Sequence, residues 1–183
     1  MSNQQLDKLI QGCRHNDPTS QRAVYEQFYT VVYGICLRYA GSSEEARELA
    51  NDAFFKAFTR LDHFEAGTNF GGWLYTIARR TALDRYRIAI KQPTIEREAA
   101  MDFEQATHEE YRLLDRMDAE EKLRLVQHLP PAYRTVFNLY VVEEYSHEEI
   151  AAMLDVSVGT SKSNLAKARQ RLKALVAQHY HKV

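Results

Sequence analysis

The fold is decided by residues 146–173, SHEEIAAMLDVSVGTSKSNLAKARQRLK. Ser146 stands three residues before Glu149. This is the spacing of a capping box, in which the serine oxygen takes the third helical amide and the glutamate reaches back to the cap. A short helix follows, with Ile150, Ala151 and Leu154 on its inner side. Asp155-Val156-Ser157 makes a tight turn, and Ser157 is placed to cap a longer helix from about Val158 to Ala177. At ~100° per residue, Val158, Ser161, Leu165, Ala168, Leu172 and Val176 share one side of that helix, with Leu175 near its edge. Thr160, Ser163, Lys167 and Arg171 lie opposite, flanked by Asn164 and Ala166. A short capped helix, a tight turn and a longer basic helix form the helix-turn-helix pattern. Its outer face offers hydroxyls, an amide and cations, the groups that hydrogen-bond phosphates and base edges. Lys167 and Arg171 suit phosphate, Arg171 also a guanine edge, and Asn164 an adenine edge. Arg169 lies nearer the inner stripe and is expected to pack or to pair with Glu148 or Glu149.

Upstream, Leu129-Pro130-Pro131 breaks the chain and opens a helix, with Pro131 in a first-turn position that tolerates it. Tyr133, Val136, Phe137 and Tyr140 form its apolar side. The N-terminal half reads as four more helices. Leu6, Leu9, Ile10 and Cys13 give helical spacing over residues 4–15, and Asn16-Asp17-Pro18 ends it. A long helix then runs to about Ala40, where Gly41 occupies the C′ position. Ser42 and Glu45 form a second capping-box pattern, opening a helix with Ala46, Ala50, Ala53, Phe54, Ala57 and Phe58 inward. After a break at residues 63–69, a fourth helix runs from about Phe70 to Ile90, with Trp73 expected in the core. No alternating pattern of a strand appears, so the fold class is all-α.

The 183 residues carry 24 basic and 25 acidic side chains, a net charge of −1. This near-balance hides a pattern. Residues 79–91 hold five cations and one acid, and residues 162–173 hold five cations and none, two places suited to a polyanion. Between them, the stretch from Gln92 to Glu110 carries Pro93 and six acids with few apolar residues. The expected organisation is two small helical domains, residues 1–91 and 113–183, joined by an acidic linker over 92–112. No apolar run approaches a membrane span, and the N-terminus lacks the basic-then-apolar order of a secretory signal. Two cysteines, Cys13 and Cys36, without metal-type spacing, point to a reduced, cytoplasmic chain. His147-Glu148-Glu149 and His179-Tyr180-His181 do not match catalytic metal motifs, and no phosphate loop or nucleophile elbow occurs. An enzyme is not expected, and neither a cofactor nor a metal.

Taken together, Leu129-Pro130, Arg134, Ser146-x-x-Glu149-Ile150-Ala151, Gly159-Thr160-Ser161-Lys162-Ser163, Ala168-Arg169 and Leu172 resemble the second DNA-binding domain of bacterial RNA polymerase sigma factors, in the small extracytoplasmic-function (ECF) group of the sigma-70 family. The run from Glu48 to Ala57 resembles that group's polymerase-binding helix. Phe64, Phe70-x-x-Trp73-Leu74-x-x-Ile77-Ala78-Arg79, Asp84 and Arg87 resemble its −10 segment. The resemblance implies a promoter-specificity subunit. Its polymerase contact, to the coiled coil of the largest subunit, falls on Glu48, Leu49, Asn51, Asp52 and Lys56. Its −10 contacts fall on Thr68, Asn69, Arg79, Arg80, Asp84 and Arg87, and its −35 contacts on Thr160, Lys162, Ser163, Asn164, Lys167 and Arg171. Such proteins are commonly held inactive by an anti-sigma factor, often membrane-bound, and do not themselves insert in a membrane. The residues agree on their own terms: Glu48, Asn51, Asp52 and Lys56 share one helix face, and Thr68 and Asn69 lie in a loop beside a basic helix. The sequence departs from the family pattern at three positions. Arg80 stands where Asn is usual, Ser161 where an apolar residue is usual, and Ala166 where a larger one is common. The alternative is a helix-turn-helix regulator that acts without replacing the polymerase's sigma subunit, and it predicts specific duplex binding without polymerase.

Overall fold

A computed structural model describes residues 2–91 and 118–180, and they are helical with no strand among them. The linker expected over 92–112 lies outside the described residues. The chain divides into two compact units, Met1–Asp84 and Arg85–Val183.

The first unit contains α1 (Asn3–Arg14), α2 (Pro18–Tyr39), α3 (Ser43–Thr59), a 3₁₀ turn (Leu61–His63) and the start of α4 (Phe70–Lys91). Ser2 caps α1 by accepting the Gln5 amide at 3.3 Å. Asp17 caps α2, whose first residue is Pro18. The Asp17 carboxylate accepts from the Ser20 amide (2.9 Å) and the Ser20 hydroxyl (2.5 Å), and these bonds hold its pKa below the ordinary carboxylate value. α2 ends differently from the sequence expectation. Ala40 takes an extended conformation at the C-cap, and Gly41 is not left-handed; Gly67, at φ 84°, is the described glycine with positive φ. The expected box at Ser42 is also shifted. Ser42 accepts the Glu45 amide at 3.2 Å, but the Glu45 carboxylate takes the Gly41 amide at 2.6 Å rather than that of Ser42. The core is built from Val24, Val32, Ile35, Cys36, Leu49, Ala50, Ala53, Phe54, Leu61 and Leu74. Burial raises the thiols of Cys13 and Cys36 to about 11 and about 12, so both stay protonated.

The second unit holds the last residues of α4 and, as the next described helix, one the sequence reading did not pick out, α5 (Ala119–Gln127). Asp118 and Glu121 form a complete capping box at its start, and Leu125, Leu129, Ala168, Leu172 and Val176 form a shared core. α6 (Pro131–Phe137) runs into a π-helical turn over Asn138–Val142. Arg134, only 4 % exposed, closes the corner before α6: its Nη1 donates to the carbonyls of Gln127 (2.8 Å) and Leu129 (3.2 Å). The expected helix-turn-helix is present. α7 (His147–Leu154) starts at the Ser146–Glu149 box and ends at Asp155, left-handed at φ 56°. α8 (Val158–Tyr180) is capped by Ser157, which accepts the Thr160 amide at 2.9 Å, and extends beyond the expected Ala177.

Gly12 is the one place where α1 needs a missing side chain. A Cβ there would lie 2.1 Å from Ser20 Oγ and 2.7 Å from Ser20 Cβ, and Ser20 is held by Asp17. Gly12→Ala is therefore expected to cost about 1–3 kcal/mol as overpacking, against the usual helix gain of Gly→Ala. A urea titration of the two proteins measures it, and equal midpoints would refute the tight crossing.

Candidate nucleic-acid and polymerase interfaces

Three surfaces carry the predicted site residues. The first is the outer face of α3. Glu48, Asn51 and Asp52 are exposed there, at spacings that align them along the helix. Leu49 is not on this face: it is 2 % exposed and belongs to the core, so its expected contact with a partner is corrected to support of the helix from beneath. In its place the structure supplies Phe55, 70 % exposed, seven residues from Glu48 and three from Asp52 on the same side. A signal was available: Phe54 and Phe55 are adjacent in a helix, and Phe54 fills the inward position, which turns its neighbour outward. Tyr25 of α2 also borders the face. Its hydroxyl is 3.1 Å from Asn51 Oδ1, and its ring packs on Phe54 and Tyr29 at 4.6 and 5.2 Å. Lys56 leans towards α4, where its Nζ is 3.8 Å from Asp84 Oδ2. Thus one residue assigned to polymerase and one assigned to the −10 element pair with each other.

The second surface is the loop before α4 and that helix's polar side. Arg14 of α1 donates to the Phe64 carbonyl at 2.6 Å and ties the loop to α1. Phe64, Phe70 and Trp73 pack mutually with centroids 5.2–5.6 Å apart, and Phe28 joins them through Phe70, which makes Trp73 a packing residue as expected. Thr68 and Asn69 are exposed, yet both already hold structural bonds. The Thr68 hydroxyl donates to the Glu65 carbonyl at 2.7 Å, and Asn69 Oδ1 accepts the Gly72 amide at 3.0 Å as the cap of α4. Arg80 stands in solvent, Arg79 and Arg87 are half-buried, and the Arg79 guanidinium lies 5.9 Å from the Tyr75 ring.

The third surface is α8. Thr160, Lys162, Ser163 and Arg171 are exposed and Asn164 is half-buried. Lys167 is half-buried, with its Nζ 5.9 Å from the Tyr133 ring of α6. Of the two roles expected for Arg169, packing or pairing with Glu148 or Glu149, the structure shows packing. Arg169 lies over Tyr140 at 5.9 Å, while the Glu149 carboxylate accepts from the Ser146 amide and hydroxyl at 2.8 Å each. Ser161 is fully buried, and its hydroxyl is 2.9 Å from His147 Nδ1. Burial, Lys162 and Arg169 hold the His147 pKa below the ordinary imidazole value, against the opposing pull of Glu148.

Residues 24–89 match the model of sigma-70 region 2, and residues 119–172 match that of sigma-70 region 4. The chain belongs to the sigma-70 family. It is 29% identical to the ECF RNA polymerase sigma factor SigW of Bacillus subtilis, over 92% of this chain and 95% of that protein. It is 32% identical to the RNA polymerase sigma factor YlaC of the same organism, over 87% and 92% of the two chains. A solved structure of the sigma factor RpoE in complex with the anti-sigma factor NepR from Bartonella quintana matches with a TM-score of 0.47 and 23% identity, covering 85% of this chain and 96% of that one. In this sigma-70 chain, region 2 spans most of α2, α3, the loop and most of α4, and includes every residue of the first two surfaces except Arg14. Region 4 opens at α5 and includes every predicted residue of α8.

The double use of Asn69 separates its roles in this sigma-70 chain. Asp and Asn cap helices about equally well, whereas Ala forfeits ~1 kcal/mol. Asn69→Asp is expected to melt as the parent does and Asn69→Ala at a lower temperature, by calorimetry. Equal melting of all three would show that the cap carries no stability.

Proposed function

We propose that this chain binds core RNA polymerase through the α3 face and directs initiation by reading two promoter elements. The −10 element meets the Thr68–Asn69 loop and the polar side of α4, including Arg79, Arg80, Asp84 and Arg87. The −35 element meets α8 through Thr160, Lys162, Ser163, Asn164, Lys167 and Arg171. Residues 92–112 connect the two. The observation that carries this reading is the presence of sigma-70 regions 2 and 4 in one chain, in that order. A regulator acting through its helix-turn-helix alone leaves region 2 unexplained.

The chemistry of the surfaces supports the division. Glu48 and Asp52 around an exposed Phe55 suit a basic, partly apolar helix such as a polymerase coiled coil, with the aromatic as the anchor. Exposed cations and hydroxyls on α8 suit the phosphates and base edges of a major groove. No helix among the described residues is long and apolar enough to cross a membrane. The site of action is the cytoplasm, with an anti-sigma factor, often membrane-bound in this family, as the controlling partner.

Co-purification with core polymerase and runoff transcription test the reading. Glu48→Lys with Asp52→Lys, and separately Phe55→Ala, are expected to weaken polymerase binding by roughly tenfold or more while melting is unchanged. Parental affinity in both variants would reject the α3 face. For α8, Arg171→Ala is expected to weaken cognate promoters alike and to lower the salt slope by about one unit. An unchanged slope would remove Arg171 from the phosphate contacts.

A further inference from the structure

Within the inward stripe of α8, Leu165, Ala168, Leu172 and Val176 are apolar and buried, and Ser161 is the polar member, with no exposed surface. A buried hydroxyl is costly unless it is bonded. Its partner is Nδ1 of His147, the first residue of α7, at 2.9 Å. The His147 ring in turn stacks on Tyr140 of the π turn, with centroids 4.5 Å apart and planes 23° from parallel. Arg169 of α8 lies over the same Tyr140 ring at 5.9 Å. One imidazole thus joins the π turn, the start of α7 and the first turn of α8.

Resting on the assignment of α8 to the −35 element, we propose that His147 is a positioning residue for promoter reading, setting the pose of the first turn of α8 through Ser161 and Tyr140, and that its protonation loosens that pose. Ser161 stands between Thr160 on one side and Lys162 and Ser163 on the other. Any rotation of α8 that carries Ser161 away from His147 therefore carries these three groups with it. Hydrogen bonds weaken steeply with misalignment, so the contact fixes the rotation more tightly than an apolar contact of equal area.

The charged groups acting on His147 are Lys162 and Arg169 from α8 and Glu148 from α7, and the titratable ring facing it is Tyr140. The two cations and burial outweigh Glu148, so the neutral ring is favoured in the folded pose. A group whose pKa is lowered by its surroundings contributes fully above its ordinary value, and the contribution is lost as pH falls through that value and below it. Acidification places a third cation beside Lys162 and Arg169, and Nδ1 becomes a donor only.

The test uses the full chain assembled with core polymerase and selects bound templates from a library randomised across the −35 element. Selections run above and below the ordinary imidazole value of 6.5. The readout is the preference between bound sequences, which a general change in affinity does not move. Ser161→Ala and His147→Ala are each expected to flatten the −35 preference by about three- to tenfold at neutral pH. The parent is expected to lose preference on acidification. His147→Asn offers an amide near the place of Nδ1 and does not titrate, so it is expected to keep preference at both pH values. Parental preference in Ser161→Ala and His147→Ala, with preference altered in Asn164→Ala, the variant of the base-edge candidate, overturns the positioning role and leaves the α8 reading standing. Unaltered preference in Asn164→Ala, together with an unchanged salt slope in Arg171→Ala, rejects the α8 reading and this proposal with it. If His147→Ala does not fold, Ser161→Ala and the acid response of His147→Asn against the parent decide.

Discussion

The first amides of a helix have no partner inside the helix, and each must find an acceptor. In this chain the residue just before the helix supplies one from its side chain at Ser2, Asp17, Ser42, Asn69, Asp118, Ser146 and Ser157. Among the described helices the exception, α6, begins with Pro131, which has no amide hydrogen to satisfy. An all-helical protein has no sheet to hold its elements in register. Where each helix starts therefore fixes which residues face inward, and everything else follows from those starts. The helix-turn-helix shows this most directly: Ser146 sets α7, the left-handed Asp155 turns the chain, and Ser157 sets α8 one turn later.

The same economy explains why several polar residues serve the fold and a surface together. Asn69 caps α4 while standing at the loop assigned to the −10 element, and Thr68 closes the turn before it. Asn51 accepts from Tyr25 while lying on the outer face of α3. Residues anchored in this way lose little conformational freedom when a partner arrives, which reduces the entropy cost of binding. Phe55 is the contrast. It is 70 % exposed and does not serve the core.

Charge is distributed by the same logic. The chain is almost neutral, yet α8 presents Lys162 and Arg171 to solvent, while Lys167 and Arg169 lie over the rings of Tyr133 and Tyr140. Two of the five cations of α8 thus pack on rings of its neighbours, and Lys162, Arg171 and Lys173 stand outward. Ser161, an apparent misfit in an apolar stripe, is accommodated because His147 meets its hydroxyl. The departure from the family pattern at this position comes with a partner, not with a loosened core.

The sequence alone determined the described helices other than α5, most of their ends, the turn within the helix-turn-helix and the family. These depend on interactions spanning a few residues: a cap with its third amide, a proline at a first turn, an apolar stripe at helical spacing. It also placed Glu48, Asn51, Asp52, Thr160, Ser163 and Arg171 on exposed faces, because helical periodicity fixes a face once the start is known. Tertiary structure decided what periodicity cannot reach. The contacts of Tyr25 with Asn51 and of Arg14 with Phe64 join residues 26 and 50 apart, and that of His147 with Ser161 joins residues 14 apart across two helices. Leu49 moved from the expected contact face to the core, and Phe55, which the sequence reading left unassigned, stands outward, because the packing of α3 chooses between neighbouring apolar residues. α5 went unread because its box, Asp118 with Glu121, follows an acidic stretch whose charges mask a short apolar pattern that only the core around Leu129 and Leu172 completes. Local rules set the pieces; which polar atom meets which was settled only when the helices packed.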